Sequence, residues 1–284
     1  MRLRLSGRAM LVIVLALLIA ACSRVSLTYR NLDLVAAWTL DDYFDLDRAQ
    51  TRALRSLVKE QVAWHCTTQL PDYVEWLRHL PETPVNATSL AQSYGRVREA
   101  IGTTVRQVAP PLVEQLAQLD DRQVAHFART LERKRREREQ RYLAPPLSQQ
   151  IEERADRVED RAQTWLGPLN DAQRARIAEW SQALGDHNRH WTAQQARWED
   201  ALLEALRDRR EPGFATRAGQ LLQDRQSLWS ADYRARFARN EQATLNLALD
   251  LHRQADAAQR ARLRERLREV RQELAGIQCP TPAG

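Results

Sequence analysis

The amino-acid sequence predicts an all-α protein, a bundle-like domain of roughly ten helices, and three observations support this fold class. Apolar residues recur at spacings of three and four, which place them on one face of a helix, and no stretch alternates with the period of a strand. Glycine is scarce, with 9 in 284 residues, and 28% of the residues are charged, which favours long helices over turn-rich β structure. The expected helix starts also share one capping pattern.

The N-terminus is organised as a secretory signal peptide. The first eight residues carry three arginines and no acid, and residues 10–21 are apolar without interruption. Twelve residues span about 18 Å as a helix, which is too short for a hydrocarbon core of roughly 30 Å. This length disfavours the alternative of an uncleaved membrane anchor, so we predict that residues 1–21 are a signal peptide that is removed.

Cys22 directly follows Ile-Ala-Ala at residues 19–21, and this junction resembles the lipobox of bacterial lipoproteins. The resemblance implies that the Cys22 thiol receives a diacylglycerol before cleavage and that the new amine is then acylated, for example with palmitate. Two or three acyl chains hold a protein stably on a membrane. Ser23 follows the cysteine where Asp would imply inner-membrane retention, which favours the periplasmic leaflet of the outer membrane. Residues 22–30 then form a lipidated tether.

Two further cysteines, Cys66 and Cys279, remain once Cys22 is lipidated. The predicted compartment oxidises thiols, so we predict that they form a disulfide. The bond would close a loop of more than 200 residues, for which the chain-entropy estimate is roughly 5 kcal/mol. The alternative is a pair of unpaired, buried thiols.

The charge balance argues against a nucleic-acid partner. Removing residues 1–21 takes away three arginines and no acid, so the formal charge of +6 falls to about +3. Nearly every basic residue is Arg, with Lys only at Lys59 and Lys134, and a periplasmic protein rarely meets nucleic acid. No long linker divides the rest of the chain, so we predict that residues 31–284 form a single helical periplasmic domain.

Four apolar stripes and a series of breaks place the helices along this domain. The stripes are Leu90, Tyr94, Val97, Ile101, Val105 and Val108; Ile151, Ala155, Val158, Ala162, Trp165 and Leu169; Trp191, Trp198, Ala201, Leu202 and Ala205; and Leu263, Leu267, Val270, Leu274 and Ile277. Breaks are expected at Pro71, Pro81 with Pro84, Pro110 with Pro111, Pro145 with Pro146, Gly167 with Pro168, Gly185, and Pro212 with Gly213.

Helix starts are marked by the pattern Asp/Asn-x-x-Gln, which predicts a capping box. The four pairs are Asp47 and Gln50, Asp120 and Gln123, Asn170 and Gln173, and Asp256 and Gln259. A leucine precedes the first three caps and can pack as a hydrophobic staple. Each cap is expected to contribute about 1 kcal/mol.

Two clusters have the residue types of a cation-binding or catalytic site, but neither forms a complete motif. The acidic run at residues 41–47 could bind a cation or act as an acid/base pair, yet Asp47 is a predicted cap and no calcium loop follows. His187 and His190 have a zinc-compatible spacing without a second spaced pair of ligands. No motif for a nucleophile or a phosphate-binding loop is present. We therefore predict no catalytic residue, metal or cofactor.

Two segments are strongly basic, residues 129–141 and 253–273. One interpretation is attraction to the phosphates of anionic lipids beside the anchor. The favoured interpretation is a solvated helix face on which Glu and Arg pair at spacings of three and four.

Several motifs together resemble a family of Gram-negative lipoproteins of unknown function. The segments that carry this resemblance are the lipobox, residues 27–31, residues 38–46, Gln50, Trp64 with His65, residues 70–73 and the later Leu-x-x-x-Gln helix starts. The resemblance implies a helical, lipidated protein, and it carries over no functional residue. Residues 46–50, 119–123 and 169–173 also resemble the Leu-Thr-x-x-Gln motif of small periplasmic chaperones, with Asp or Asn in place of Thr.

We therefore expect a non-enzymatic protein on the periplasmic face of the outer membrane, with either a binding or an envelope-maintenance role. The expected partners are the membrane and, for the binding role, another envelope protein. One alternative is a chaperone-like protein that binds unfolded clients. Another is an envelope hydrolase with carboxylates from separate helices, such as residues 41–45 with Glu75. An apolar groove would favour binding, whereas a cleft that gathers these acids with raised pKa values would favour hydrolysis.

Overall fold

The computed structural model describes Tyr29 and residues 31–279, and within them it contains helices and no strand, which confirms the all-α, bundle-like fold. The predicted signal peptide, Cys22 and most of the tether lie outside the described residues. The α-helices are α1 (Leu32–Phe44), α2 (Arg48–Thr68), α3 (Leu70–His79), α4 (Ala87–Ala117), α5 (Asp121–Tyr142), α6 (Leu147–Leu166), α7 (Asp171–Ala183), α8 (His187–Arg207), α9 (Phe214–Gln223), α10 (Ala231–Arg253) and α11 (Ala257–Ala275). Short 3₁₀ helices cover Leu80–Glu82 and Arg225–Leu228.

The buried apolar residues form two main clusters. The larger cluster joins α1, α4, α5, α8 and α9, and in it the Phe44 ring stacks on Phe127 at a centroid distance of 4.7 Å. The second cluster joins α6, α7 and α10 around Ile177, whose side chain is fully buried. Because each helix contributes one apolar face to a cluster, packing between helices rather than intrinsic propensity stabilises most of the fold.

Capping boxes are present at all four Asp/Asn-x-x-Gln segments. At the start of α2, for example, Asp47 Oδ1 accepts the Gln50 N–H at 2.8 Å, and Gln50 Oε1 accepts the Asp47 N–H at 3.0 Å. A fifth capping box, formed by Asn86 and Ser89 at the start of α4, was not predicted. Ser89 takes the position that Gln has in the others, so this capping box falls outside the Asp/Asn-x-x-Gln pattern.

The four glutamines also bind each other across the fold, in two carboxamide pairs. Gln50 and Gln123 exchange Nε2–H···Oε1 hydrogen bonds of 3.1 and 2.6 Å. Gln173 and Gln259 do the same at 3.1 and 3.0 Å. Each glutamine oxygen therefore accepts twice, from its own helix start and from its partner. The carboxamide pairs join the start of α2 to that of α5, and the start of α7 to that of α11.

The predicted break at Pro110 and Pro111 is wrong, because α4 continues through both prolines. Two prolines remove the hydrogen bonds that the carbonyls of Arg106 and Gln107 would accept in a regular helix. Both of these residues lie on the exposed side of α4, where water can solvate the carbonyls. On the opposite side, Ala109 and other buried residues pack on both sides of the proline pair and hold the helix in place.

Replacing Asp47 with Ala is expected to lower the free energy of unfolding by about 1 kcal/mol, because the N–H groups of Ala49 and Gln50 lose their acceptor. Denaturant unfolding of the two proteins measures the difference. Asp72→Ala is the control, since Asp72 is an exposed acid in the first turn of α3 that does not cap the helix. An effect of Asp47→Ala no larger than that of the control would contradict the capping role.

Candidate functional site

The structure joins Cys66 and Cys279, as predicted. Cys66 and Cys279 form a disulfide with their Cα atoms 5.6 Å apart and 213 positions apart in sequence. Cys66 is 2% exposed and packs with Leu70 and Ile277 in a small apolar cluster. The bond therefore fixes the segment that follows α11 to the C-terminal part of α2.

An apolar groove lies beside this disulfide, between α2, α3, α4 and α11. Its volume is about 470 Å³, within the range of small-ligand sites in proteins. The side chains that line it are His65, Tyr73, Trp76, Leu77, Arg96, Val97, Ala100, Ile101, Thr104, Val105, Val270 and Leu274. These residues come from four helices, and we refer to this feature as the apolar groove.

The wall contributed by α4 comes from a stripe that the sequence marks as apolar. In a closed bundle another helix would cover such a stripe. Here Val97 remains 43% exposed and Ile101 60% exposed, because no helix of the described chain lies over them. This part of the stripe is therefore uncovered and forms one side of the apolar groove.

One end of the apolar groove holds a histidine that burial keeps neutral. Nδ1 of His65 is 2.8 Å from the Tyr29 hydroxyl, and the His65 ring meets Tyr73 edge-on at 5.5 Å. Desolvation lowers the pKa of His65. Desolvation, with a smaller contribution from Tyr73, raises the pKa of Tyr29 to about 12. Both groups are therefore uncharged near neutral pH.

A single cation lies on the lining of the apolar groove. The Arg96 guanidinium is 5.7 Å from the centre of the Trp76 ring, a cation–π geometry. Within residues 31–279, no carboxylate forms an ion pair with Arg96. The groove therefore combines an apolar surface with one positive charge.

The acids suggested for hydrolysis are not gathered in one cleft. Asp42 accepts from Lys134 at 3.0 Å and from Arg133 at 3.2 Å. The hydrogen bond from Lys134 is the largest cause that holds the pKa of Asp42 below its usual value. Asp45 pairs instead with Arg122 on α5, and Glu75 pairs with neighbours on α3. Basic side chains thus bind these carboxylates separately, which is not the arrangement expected of an acid/base pair.

The two histidines considered for zinc have other partners. His187 Nδ1 accepts from Asn240 Nδ2 at 3.1 Å, and His190 Nε2 lies 3.3 Å from Asp186. In the part of the chain that the structure describes, no group of three or more His, Cys, Asp or Glu residues could hold a metal ion.

Acidification is expected to destabilise the protein through His187. Burial lowers the pKa of His187 in the folded protein, whereas a histidine in the unfolded chain has a pKa of about 6.5. Below that pH the unfolded state binds the proton more readily, so the free energy of unfolding falls as the pH drops from about 6.5 through the folded pKa. Denaturant unfolding from pH 8 to pH 5 should show a smaller fall for His187→Gln than for the parent. The control is His79→Gln, at an exposed site. If it reduced the fall in unfolding free energy as much as His187→Gln does, the effect could not be assigned to His187.

The basic segment 129–141 forms ion pairs within the protein. Arg135 Nε and Arg138 donate to Glu199 at 2.8 and 2.6 Å, and Glu199 is only 3% exposed. Burial alone would raise the pKa of Glu199, but hydrogen bonds from Arg138, Arg135 and Gln195 outweigh it and the pKa is lowered. On α11, Arg266 pairs with Glu269 at a spacing of three. Sequence reasoning missed Glu199, since a lone glutamate in an amphipathic helix has no local signal.

Comparison with known proteins finds one family. A model described as a family of unknown function (DUF6279) matches residues 42–234. No curated protein and no solved structure matches the chain. The matched range includes the walls of the apolar groove from α2, α3 and α4, whereas α11 lies beyond it. Within Tyr29 and residues 31–279, the structure contains no helix with the length and apolar character needed to cross a bilayer.

Proposed function

We propose that this chain, which belongs to the DUF6279 family of unknown function, is a lipid-anchored, non-enzymatic protein of the bacterial envelope that binds another envelope protein through the apolar groove. The observation that carries the proposal is the groove itself, where Val97 and Ile101 remain exposed beside an apolar concavity of about 470 Å³. Burial of apolar surface is favourable by about 25 cal/mol of free energy per Å² removed from water. A partner that covers these side chains would therefore bind favourably.

The position of the tether supports a partner close to the membrane. The Tyr29 hydroxyl hydrogen-bonds to His65, which lines the apolar groove. Tyr29 lies only seven positions after Cys22, and such a segment reaches at most about 25 Å when fully extended. If Cys22 carries the lipid, the groove is held within that distance of the membrane surface. This geometry suits a partner in the periplasmic leaflet of the outer membrane or beside it.

The chaperone-like alternative gains no support from the shared motif. The Leu-x-x-x-Gln glutamines Gln50, Gln123 and Gln173 are occupied in carboxamide pairs and capping boxes. These internal bonds account for the motif without a client protein. The hydrolase alternative also loses its basis, because Asp42, Asp45 and Glu75 are paired separately with basic groups.

A photo-crosslinking amino acid in place of Ile101 tests the proposal in cells. We expect a reproducible crosslinked species, because Ile101 lies on the open side of the apolar groove. The matched control carries the same amino acid in place of Leu147, which is 47% exposed and lies outside the groove. Identical products from both positions, or none from Ile101, would contradict the proposal.

Ile101→Asp is expected to weaken the crosslinking partner's binding at least tenfold, or about 1.4 kcal/mol. The partner would have to desolvate a carboxylate that has no counter-charge in the contact. The melting temperature should change little, because Ile101 is 60% exposed. Once the partner is identified, titration against the parent and Ile101→Asp measures the loss, with Leu147→Asp as the control. Equal affinity of all three proteins would place the binding surface elsewhere.

A further inference from the structure

A second apolar surface lies on α1, immediately after the tether. Leu34 is 46% exposed, Val35 48% and Trp38 77%. The spacing of these residues places them on one side of the helix. We call them the exposed face of α1, and none of them lines the apolar groove. Together they form a contiguous exposed apolar patch, and such patches are typical of surfaces that contact another molecule or a membrane.

The opposite side of α1 is fixed to the domain, so the exposed face cannot turn inwards. Ala37 is 5% exposed, and the Phe44 ring stacks on Phe127 of α5. Asp33 is also buried and accepts from Arg55 Nε of α2 at 3.0 Å. Rotation of the helix would break this ion pair and expose the Phe44 ring. The outward direction of Trp38 is therefore a property of the packed fold.

The exposed face of α1 has a definite position along the chain. It occupies the N-terminal half of the helix, and Leu34 follows Cys22 by only twelve residues. The acids Asp41 and Asp42 lie at the other end of α1. The exposed apolar side chains are thus nearer to the predicted lipid than the exposed acids are, because Asp33 in the first turn is buried and paired with Arg55. This order fits a helix whose first turns meet a membrane surface.

We propose that the exposed face of α1 docks into the interfacial region of the phospholipid bilayer that carries the lipid at Cys22. The inference rests on the anchor in the proposed function and adds a protein contact to it. Tryptophan is favoured at the level of the lipid headgroups, where its ring is apolar and its N–H can bind water or phosphate. The docked helix would lie on the membrane without crossing it and would set the orientation of the whole domain.

A second copy of the chain fits this surface less well. A stable protein interface buries about 800 Å² on each partner, far more than three side chains supply. A bilayer needs no complementary shape, and an anchored protein is already confined to its surface. The three side chains are therefore sufficient for membrane docking but insufficient for a stable dimer.

The test uses the lipidated, mature protein reconstituted into phosphatidylethanolamine–phosphatidylglycerol vesicles that contain brominated acyl chains, which quench nearby tryptophans. Vesicle flotation first reports the anchor. Tryptophan fluorescence of the floated fraction is then compared for the parent, Trp38→Phe and Trp191→Phe. Trp191 is the matched control, because it is 36% exposed and lies on α8, with its ring against Tyr142. Thermal unfolding checks that all three proteins are folded.

We expect the brominated lipid to quench the parent and Trp191→Phe, and we expect Trp38→Phe to lose most of that quenching. Equal quenching of all three floated proteins, or none of the parent, would overturn the docking while leaving the anchor intact. Failure of the parent to float would overturn the anchor, and the docking with it. A loss of Trp38 exposure that follows protein concentration in detergent, without quenching in vesicles, would assign the face to a second copy.

Discussion

Removing the Cys66–Cys279 disulfide is expected to lower the free energy of unfolding by about 5 kcal/mol. The bond closes a loop of 213 positions, so its loss frees a long stretch of the unfolded chain and increases its conformational entropy. In the folded state, it fixes the end of α11 to α2. The comparison to make is denaturant unfolding of the parent and the Cys66→Ala/Cys279→Ala variant.

The same variant should bind the proposed partner of the apolar groove more weakly. Val270 and Leu274 of α11 line the apolar groove, and the disulfide follows them by only a few residues. Without it, this wall of the groove loses its covalent link and is held by noncovalent contacts such as the ion pair between Arg268 and Glu82. Reductant should lower both the unfolding free energy and the partner affinity of the parent. The double variant is the control, because reductant should change neither property in it. A difference in unfolding free energy below about 1 kcal/mol would show that the bond closes a loop already restricted in the unfolded state.

Gln173→Leu is expected to lower the free energy of unfolding by about 3 kcal/mol, a large effect for one polar side chain. Gln173 is fully buried, and it accepts from the Asn170 N–H at 3.1 Å. It also donates to the Leu251 carbonyl at 3.1 Å and exchanges hydrogen bonds with Gln259. Leucine leaves these partners unpaired in a region without water access.

A double-mutant cycle separates the interaction between Gln173 and Gln259 from general disruption of the core. If the carboxamide pair is a unit, Gln173→Leu and Gln259→Leu together should cost less than the sum of the single changes. Gln182→Leu, at an exposed position on the same helix, is the control and should change the unfolding free energy little. Strict additivity of the two buried changes would show that each glutamine acts only as a local cap.

Much of the fold could be predicted because its signals are local. A capping box needs only a residue and its neighbour three positions on, so Asp47 with Gln50 is visible in a string of four letters. The pairing of Cys66 with Cys279 could be predicted from the number of cysteines and the predicted compartment, without knowledge of how the chain folds between them. Pro110 shows the limit of this reasoning, because its effect depends on whether packing and solvent compensate for the lost hydrogen bond.

The candidate site could be predicted only in part. The stripe that contains Val97 and Ile101 is evident in the sequence, but a stripe alone indicates burial and gives no sign of which part stays uncovered. The same holds for Trp38, whose exposure depends on how α1 packs on its neighbours. Arg96 has no signal at all among so many arginines, and its place on the groove lining arises only when α3 and α4 meet.

By itself, the sequence determined that the chain is helical, where most helices begin, and which cysteines are available to pair, because these properties depend on residues within one turn of each other or on simple counts. Only the tertiary structure decided that the capping glutamines bind in two carboxamide pairs, that Glu199 is enclosed by arginines, and that an apolar groove and an exposed face of α1 remain open. The hydrogen bonds and ion pairs among these features join residues up to 86 positions apart, and the two open surfaces arise because no helix of the described chain covers them. Such contacts have no fixed spacing in a single sequence, since they are set by the packing of whole helices.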